Sequence, residues 1–207
     1  MPPKVPPDPH HRLTLPRPRR GAPDETRRRL VAAAALLFNR AGFYGTDSNK
    51  IARAAGYSAG VFYKHFKDKR EIFLAAYEQW SIAEWQEVTN ILSSGGSDRE
   101  IARELVLLFI DLHARWRGLL ASLRQLVFTD ATVRRFHRRQ RKRQLEWMSQ
   151  LRAQRNGSTR RREQDIVYLY CTERTFDAIA QGELRALGLN REFVIEAMVV
   201  STIEALS

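Results

Sequence analysis

The stretch "GYSAGVFYKHFKDKREIF", residues 56–73, crowds Tyr57, Phe62, Tyr63, Phe66 and Phe73 together with His65, Lys64, Lys67, Lys69 and Arg70. Phenolic, imidazole and ammonium donors at such density suit phosphate oxygens, and lysines add sequence-independent attraction by releasing counterions. The small residues Ser58, Ala59 and Gly60 let a backbone come close to a ligand, and free N–H groups at a helix start suit an anion. Phe66 is expected in the core, whereas Tyr63 presents its hydroxyl outward.

Such residues act only if short elements hold them. Leu30, Ala33, Ala34, Leu37, Phe38 and Ala41 recur at helical spacing, so a helix is expected over 24–41, stopped by Gly42. A second fits 48–55, with Ile51, Ala52 and Ala55 inward and Gly56 at its end. A third begins at Ala59 behind Ser58 and ends near His65 or Phe66. Two short helices separated by a glycine-containing turn form a helix-turn-helix, whose second helix enters the major groove and meets base edges with its N-terminal residues.

The remaining chain reads as all-α, with about nine helices and no internal repeat. A fourth helix from Asp68 carries Ile72, Phe73, Ala76, Tyr77, Trp80 and Ala83 on one stripe. Ser97 and Glu100 form a capping-box pattern ahead of Ile101, Leu105, Leu108, Phe109, Leu112 and Trp116. Gly118 interrupts before a short apolar helix at 119–128. A long basic helix over 130–155 follows, then a break at Asn156-Gly157-Ser158. Two last helices are expected over 162–187 and 191–206. Residues 1–23 are crowded with prolines and lack apolar periodicity, which suits a disordered tail or a basic arm following a groove.

Composition narrows the function. Lys+Arg 35 against Asp+Glu 23 gives a net charge of +12. That points to a polyanion, with nucleic acid ahead of an anionic membrane surface. Residues 134–162 hold twelve Lys/Arg against the single acid Glu146. This run is either a solvated outer face or an anion-attracting surface. The one cysteine, Cys171, cannot form an internal disulfide, which suits a reducing, cytoplasmic compartment. No apolar run reaches transmembrane length and no signal-peptide apolar region opens the chain. Nucleotide loops, paired metal-ligand spacings and a nucleophile–base set are missing, so no enzyme, metal or cofactor is expected.

The stretch "TDSNKIARAAGYSAGVFYKHFKDKREIF", residues 46–73, resembles the DNA-binding motif of TetR-type transcriptional regulators. The likeness rests on Thr46, on Ile51-Ala52-x-x-Ala55-Gly56, on Ser58-x-Gly60, on Tyr63-x-His65-Phe66-x-x-Lys69, and on the leading helix with Gly42-Phe43. It covers about fifty residues. The resemblance implies DNA-binding roles for Thr46, Asn49, Ser58, Ala59, Gly60, Val61, Phe62, Tyr63, Lys64, His65 and Lys69. Thr46 would cap the second helix near phosphate and Asn49 would reach DNA. Ser58, Gly60, Val61 and Phe62 would face the groove, and Tyr63, His65 and Lys69 would meet phosphates. Ser48 departs from the aliphatic residue common there. Val61-Phe62 departs from a hydroxyl and an aliphatic, which favours thymine-methyl contact over bidentate hydrogen bonds.

The resemblance further implies a ligand-sensing domain over 71–207, behind a DNA-binding domain at 24–70, with the last two helices pairing with a second copy. The residues support pairing on their own: the helix at 191–206 is apolar nearly all round and needs cover on both faces. Ile166, Tyr170, Phe176, Met198, Val199 and Ile203 are the expected interface. Trp85, Phe109, His113, Trp116, Trp147, Tyr168, Tyr170, Glu173 and Asp177 are candidates for a small-molecule pocket. The expected protein is a homodimeric, ligand-responsive regulator, most simply a repressor, that binds a palindromic operator in double-stranded DNA. A helical adaptor using the arginine-rich face, or a small-molecule-binding enzyme, would need no operator.

Overall fold

The computed structural model describes residues 23–155 and 160–207. The expectations for the proline-rich tail and for the break at Asn156-Gly157-Ser158 lie outside the described residues. Ten helices and no strand occur among the described residues: α1 Pro23–Ala41, α2 Ser48–Ala54, α3 Ala59–His65, α4 Lys69–Leu92, α5 Asp98–Arg115, α6 Arg117–Thr129, α7 Ala131–Arg155, α8 Arg162–Ala180, α9 Glu183–Ala186 and α10 Arg191–Leu206. The expected helix over 162–187 is two helices, α8 and α9. Gly182 sits between them at φ +74°, a left-handed conformation that ends α8.

Side chains set most helix starts. Asp47 precedes α2 and accepts from Lys50 N at 2.8 Å. Asp68 precedes α4 and accepts from Glu71 N at 2.8 Å. Ser97 and Glu100 form the expected capping box at α5. Asp130 Oδ1 accepts from Thr132 N at 2.7 Å and Val133 N at 3.1 Å ahead of α7. Asn190 Oδ1 accepts from Glu192 N at 2.8 Å ahead of α10. Each bond satisfies an N–H that the helix itself leaves without a partner.

Packing groups the chain into two compact units. The first runs through Glu87 and takes in Gly118–Val133; the second comprises Val88–Arg117 and Arg134–Ser207. A single boundary at residue 70 does not express this division, because α6 returns to the first unit. Asn39 on α1 explains the return. Its Oδ1 accepts from Gly118 N at 2.9 Å and Leu119 N at 3.2 Å, so a residue of α1 caps α6. A Cβ on Gly118 would stand 1.8 Å from the Asn39 carbonyl oxygen, so only glycine permits the approach. Ser122 Oγ on α6 then accepts from Phe43 N at 3.0 Å. Phe38, Ile51, Phe62, Phe66, Ile72, Phe73 and Leu119 are buried in this unit. Phe73 meets Phe38 and Phe43 edge-on, with centroids 5.1 and 5.4 Å away.

In the second unit Ala102, Val106 and Ile110 of α5 pack with Phe176 of α8 and Ile195, Met198 and Val199 of α10. Several buried polar groups in this unit are paired. His113 Nδ1 lies 2.8 Å from Asp177 Oδ1, and Arg152 donates to Asp165 at 2.6 Å and to the Ala205 carbonyl at 3.1 Å. These pairings offset the cost of burying the imidazole and the charges, while Arg152 Nε and Asp165 Oδ1 are buried without a hydrogen-bond partner.

Candidate nucleic-acid interface

Two turns of helix make α3, too few for stability in isolation. Tertiary anchors supply what its length does not: Phe62 is fully buried and Phe66, directly after the helix, nearly so. Their burial decides which side faces water. Ser58, Gly60, Tyr63 and Lys64 are exposed; Ala59, Val61 and His65 are half-buried. Tyr63 is 59% exposed despite an edge-on contact with Phe62 at 5.2 Å. Gly60 has open space where a Cβ would stand, apart from ordinary contact with Ser58 Oγ at 3.9 Å. The glycine therefore leaves a bare strip of backbone on the outward side of α3.

The expected groove contact by Phe62 does not survive. Its ring is in the core, because the side of the helix opposite Gly60 and Tyr63 must cover the domain interior. Thr46 is also buried. Its hydroxyl donates within the preceding turn, at 3.0 Å to the Gly42 carbonyl and 3.3 Å to that of Leu37. Asp47, not Thr46, caps α2. The Lys50 N–H, backed by the Lys50 and Arg53 charges, holds the Asp47 carboxyl below its ordinary value. Asn49 is exposed at the head of α2.

Lys69 is the largest departure from expectation. Its Nζ donates to the carbonyls of Phe43 and Thr46, each at 2.9 Å, and lies 4.2 Å from the Phe43 ring centroid. Partial burial lowers its pKa from the ordinary lysine value. The side chain ties the turn before α2 to the start of α4 rather than extending as a bare phosphate ligand. Tyr44, on the same turn and 62% exposed, was missed by sequence reasoning. The signal available was an aromatic between two glycines, Gly42-Phe43-Tyr44-Gly45, in a turn beside a basic motif. Lys50, Arg53, Lys64 and Lys67 are exposed on the same domain and add positive potential.

The family description "Bacterial regulatory proteins, tetR family" matches residues 30–76, the segment that holds α2, α3, the anchors Phe62 and Phe66, and Lys69. Within residues 30–76 the chain is similar to the tetR family. The tetR-type segment is similar to the HTH-type transcriptional regulator AcrR of Shigella flexneri, 40% identical over 60 residues, 29% of this chain and 26% of that protein. It is also similar to the HTH-type transcriptional regulator HbdR of Aromatoleum sp. (strain CIB), 38% identical over 63 residues, 27% of this chain and 28% of that protein. The chain thus matches about a quarter of the length of these curated relatives. A solved structure of a putative TetR-family transcriptional regulator from Rhodococcus sp. shares the fold at a TM-score of 0.69 and 19% identity, over 89% of this chain and all of that one.

Beyond the tetR-type segment, the pocket candidates do not converge. Phe109, His113 and Asp177 meet around Phe176: the Phe109 ring stacks on it at 5.6 Å and His113 approaches its edge at 5.6 Å. Glu173 instead holds Arg141 through two bonds of 2.6 and 2.8 Å, with the Arg141 guanidinium 5.4 Å from the Tyr170 ring centroid and Tyr170 exposed. Trp116 is buried in the second unit, and Trp85 is half-buried in the first. Tyr168 bonds Thr202 at 2.9 Å. Only Trp147 borders the open cavity of about 310 Å³ in the second unit, with Thr89, Leu92, Ser93, Gln150, Leu151 and Gln154.

Three expected interface residues, Phe176, Met198 and Val199, belong to the chain's own core, and Ile203 packs against it. The helix α10 is apolar on two sides, and Met198, Val199 and Ile203 are on the side that α5 and α8 already cover. Ile166 is half-buried. On α8 and α10 the large apolar side chains left in water are Val167, Tyr170, Phe193 and Val200. Among the described residues no helix is long and apolar enough to cross a membrane, and no His, Cys, Asp and Glu cluster could hold a metal ion.

Proposed function

We propose that the chain is a cytoplasmic transcriptional regulator, a homodimeric repressor that releases a palindromic operator when a small molecule binds its second unit. The observation that carries the reading is the orientation of α3. Phe62 and Phe66 fix it from within, so Gly60, Tyr63 and Lys64 face outward at the spacing of a groove-reading helix. The likeness of residues 30–76 to tetR-type regulators supports DNA as the target over a substrate to be transformed.

The dimer would form on Val167 and Tyr170 of α8 with Phe193 and Val200 of α10, which a two-fold partner covers with the same surface. Two copies then present two recognition helices to two half-sites. An effector acts by favouring one dimer geometry over another, and linkage requires operator DNA to weaken effector binding by the same factor. The test is selection of bound duplexes from random DNA by the full chain. A two-fold symmetric consensus is the expected result. Enrichment of no sequence at all would overturn the reading.

A further inference from the structure

One feature of α7 has no part in the recognition helix, the core or the exposed apolar face. Arg135, Arg138, Arg139, Lys142 and Arg143 are all exposed. Their spacing, i, i+3, i+4, i+7, i+8, places them on one side of the helix. At about 1.5 Å rise per residue the stripe is about 12 Å long. Glu146 is the only acid in α7.

The other side of the helix accounts for the arginines that are engaged internally. Arg141 grips Glu173, and buried Arg152 grips Asp165. Folding therefore turns Arg141 and Arg152 toward acids, while the five exposed cations share a continuous outward edge. We propose that this edge is a second duplex-DNA surface, holding the sugar-phosphate backbone without reading bases.

Three observations select this occupant. Duplex DNA carries one charge per about 1.7 Å of axis, so a 12 Å stripe spans about seven phosphate charges. Four of the five cations are arginines, whose planar fork suits phosphate oxygens. The stripe also holds no exposed apolar or aromatic anchor, since Phe136 is buried, and protein interfaces depend on such anchors. A small molecule has no enclosure there: the cavity beside Trp147 is bordered by Gln150, Leu151 and Gln154 and by none of these cations. The reading of the chain as a DNA-binding regulator supplies the identity of the polyanion, and the proposal rests on it for that.

The test uses the full chain and a duplex with no selected site, titrated across a salt series. Replacing Arg138, Arg139 and Lys142 together by Gln should reduce the slope of log affinity against log salt by roughly two to three units, at about 0.9 per lost phosphate contact. The ranking of selected sequences should stay as in the wild type. A second variant, Gly60→Leu, places a side chain on the outward backbone strip of α3 and should lose sequence preference yet keep the α7-dependent part of the slope. The two variants thus separate failure of the α7 surface from failure of the recognition helix. An unchanged slope in the triple variant, with helix content intact, overturns the proposal. Loss of poly-glutamate binding together with an unchanged DNA slope overturns it in favour of an acidic polypeptide partner.

Discussion

The ammonium of Lys69 donates to the carbonyl oxygen of Thr46 at 2.9 Å, across 23 positions of sequence. With the equal bond to Phe43, it fastens the start of α4 to the turn that launches α2. Two carbonyls and a ring face converge on this one cation. A lysine that reads as a phosphate ligand in the sequence is thereby a fastener of the domain.

Lys69→Met should destabilise the protein by about 1–3 kcal/mol, because two partly buried carbonyls lose a charged donor. Urea melts measure this. The salt slope of DNA binding, measured well below the transition, should change by less than a third of a unit relative to the roughly one unit expected of a lost phosphate contact. A full unit of flattening with unchanged stability would return Lys69 to the interface.

Asp47→Ala should cost about 0.5–2 kcal/mol, the usual worth of an N-cap. The pH dependence has a definite sign. The folded carboxyl titrates below 3.8, so its stabilisation is complete above that value and fades as pH falls through the lowered one. Wild type and variant should therefore converge in stability in strong acid. Melts at neutral pH and well below pH 3.8 make the comparison.

Tyr63→Phe removes one exposed hydroxyl and should leave stability unchanged. Binding should weaken on operator and random duplex about equally, since a phosphate contact positions without reading sequence. Parallel titrations on the two duplexes would expose any base-specific role as a loss confined to the operator.

Phe193→Arg and Val200→Arg should yield folded monomers, because both positions are exposed in the single chain. Val199→Arg should instead unfold the second unit by burying an unpaired charge among α5, α8 and α10. Sedimentation and circular dichroism together distinguish the outcomes. A Phe193→Arg protein that remains dimeric would move the interface elsewhere.

The helices α1 to α3 were legible because their signals are local. Gly42 and Gly56 punctuate them, Ser58 precedes α3, and the apolar period continues through Phe66. What was not legible depended on partners distant in sequence. Lys69 and Thr46 bond backbone carbonyls, which carry no residue identity. Asn39 reaches 79 positions to cap α6. Gly182 was read through because a lone glycine costs a helix only about 1 kcal/mol and helix-forming residues follow it. Apolar residues all round α10 announce two covered sides but not which one the chain covers itself.

The division of labour within α3 has an evolutionary consequence. Phe62, with Phe66 just beyond the helix, holds it in place, while Gly60, Tyr63 and Lys64 lie outward and touch little of the interior. Holding and reading are separable traits on a helix of seven residues. Under the proposed function, substitutions at Gly60 and beside it can change which operator is preferred at little thermodynamic cost, so they are visible to selection chiefly through the promoter they address. Drift in the target sequence can be followed by drift in these few codons, with the hydrophobic scaffold unchanged. A lineage of such regulators can diversify its addresses faster than its architecture.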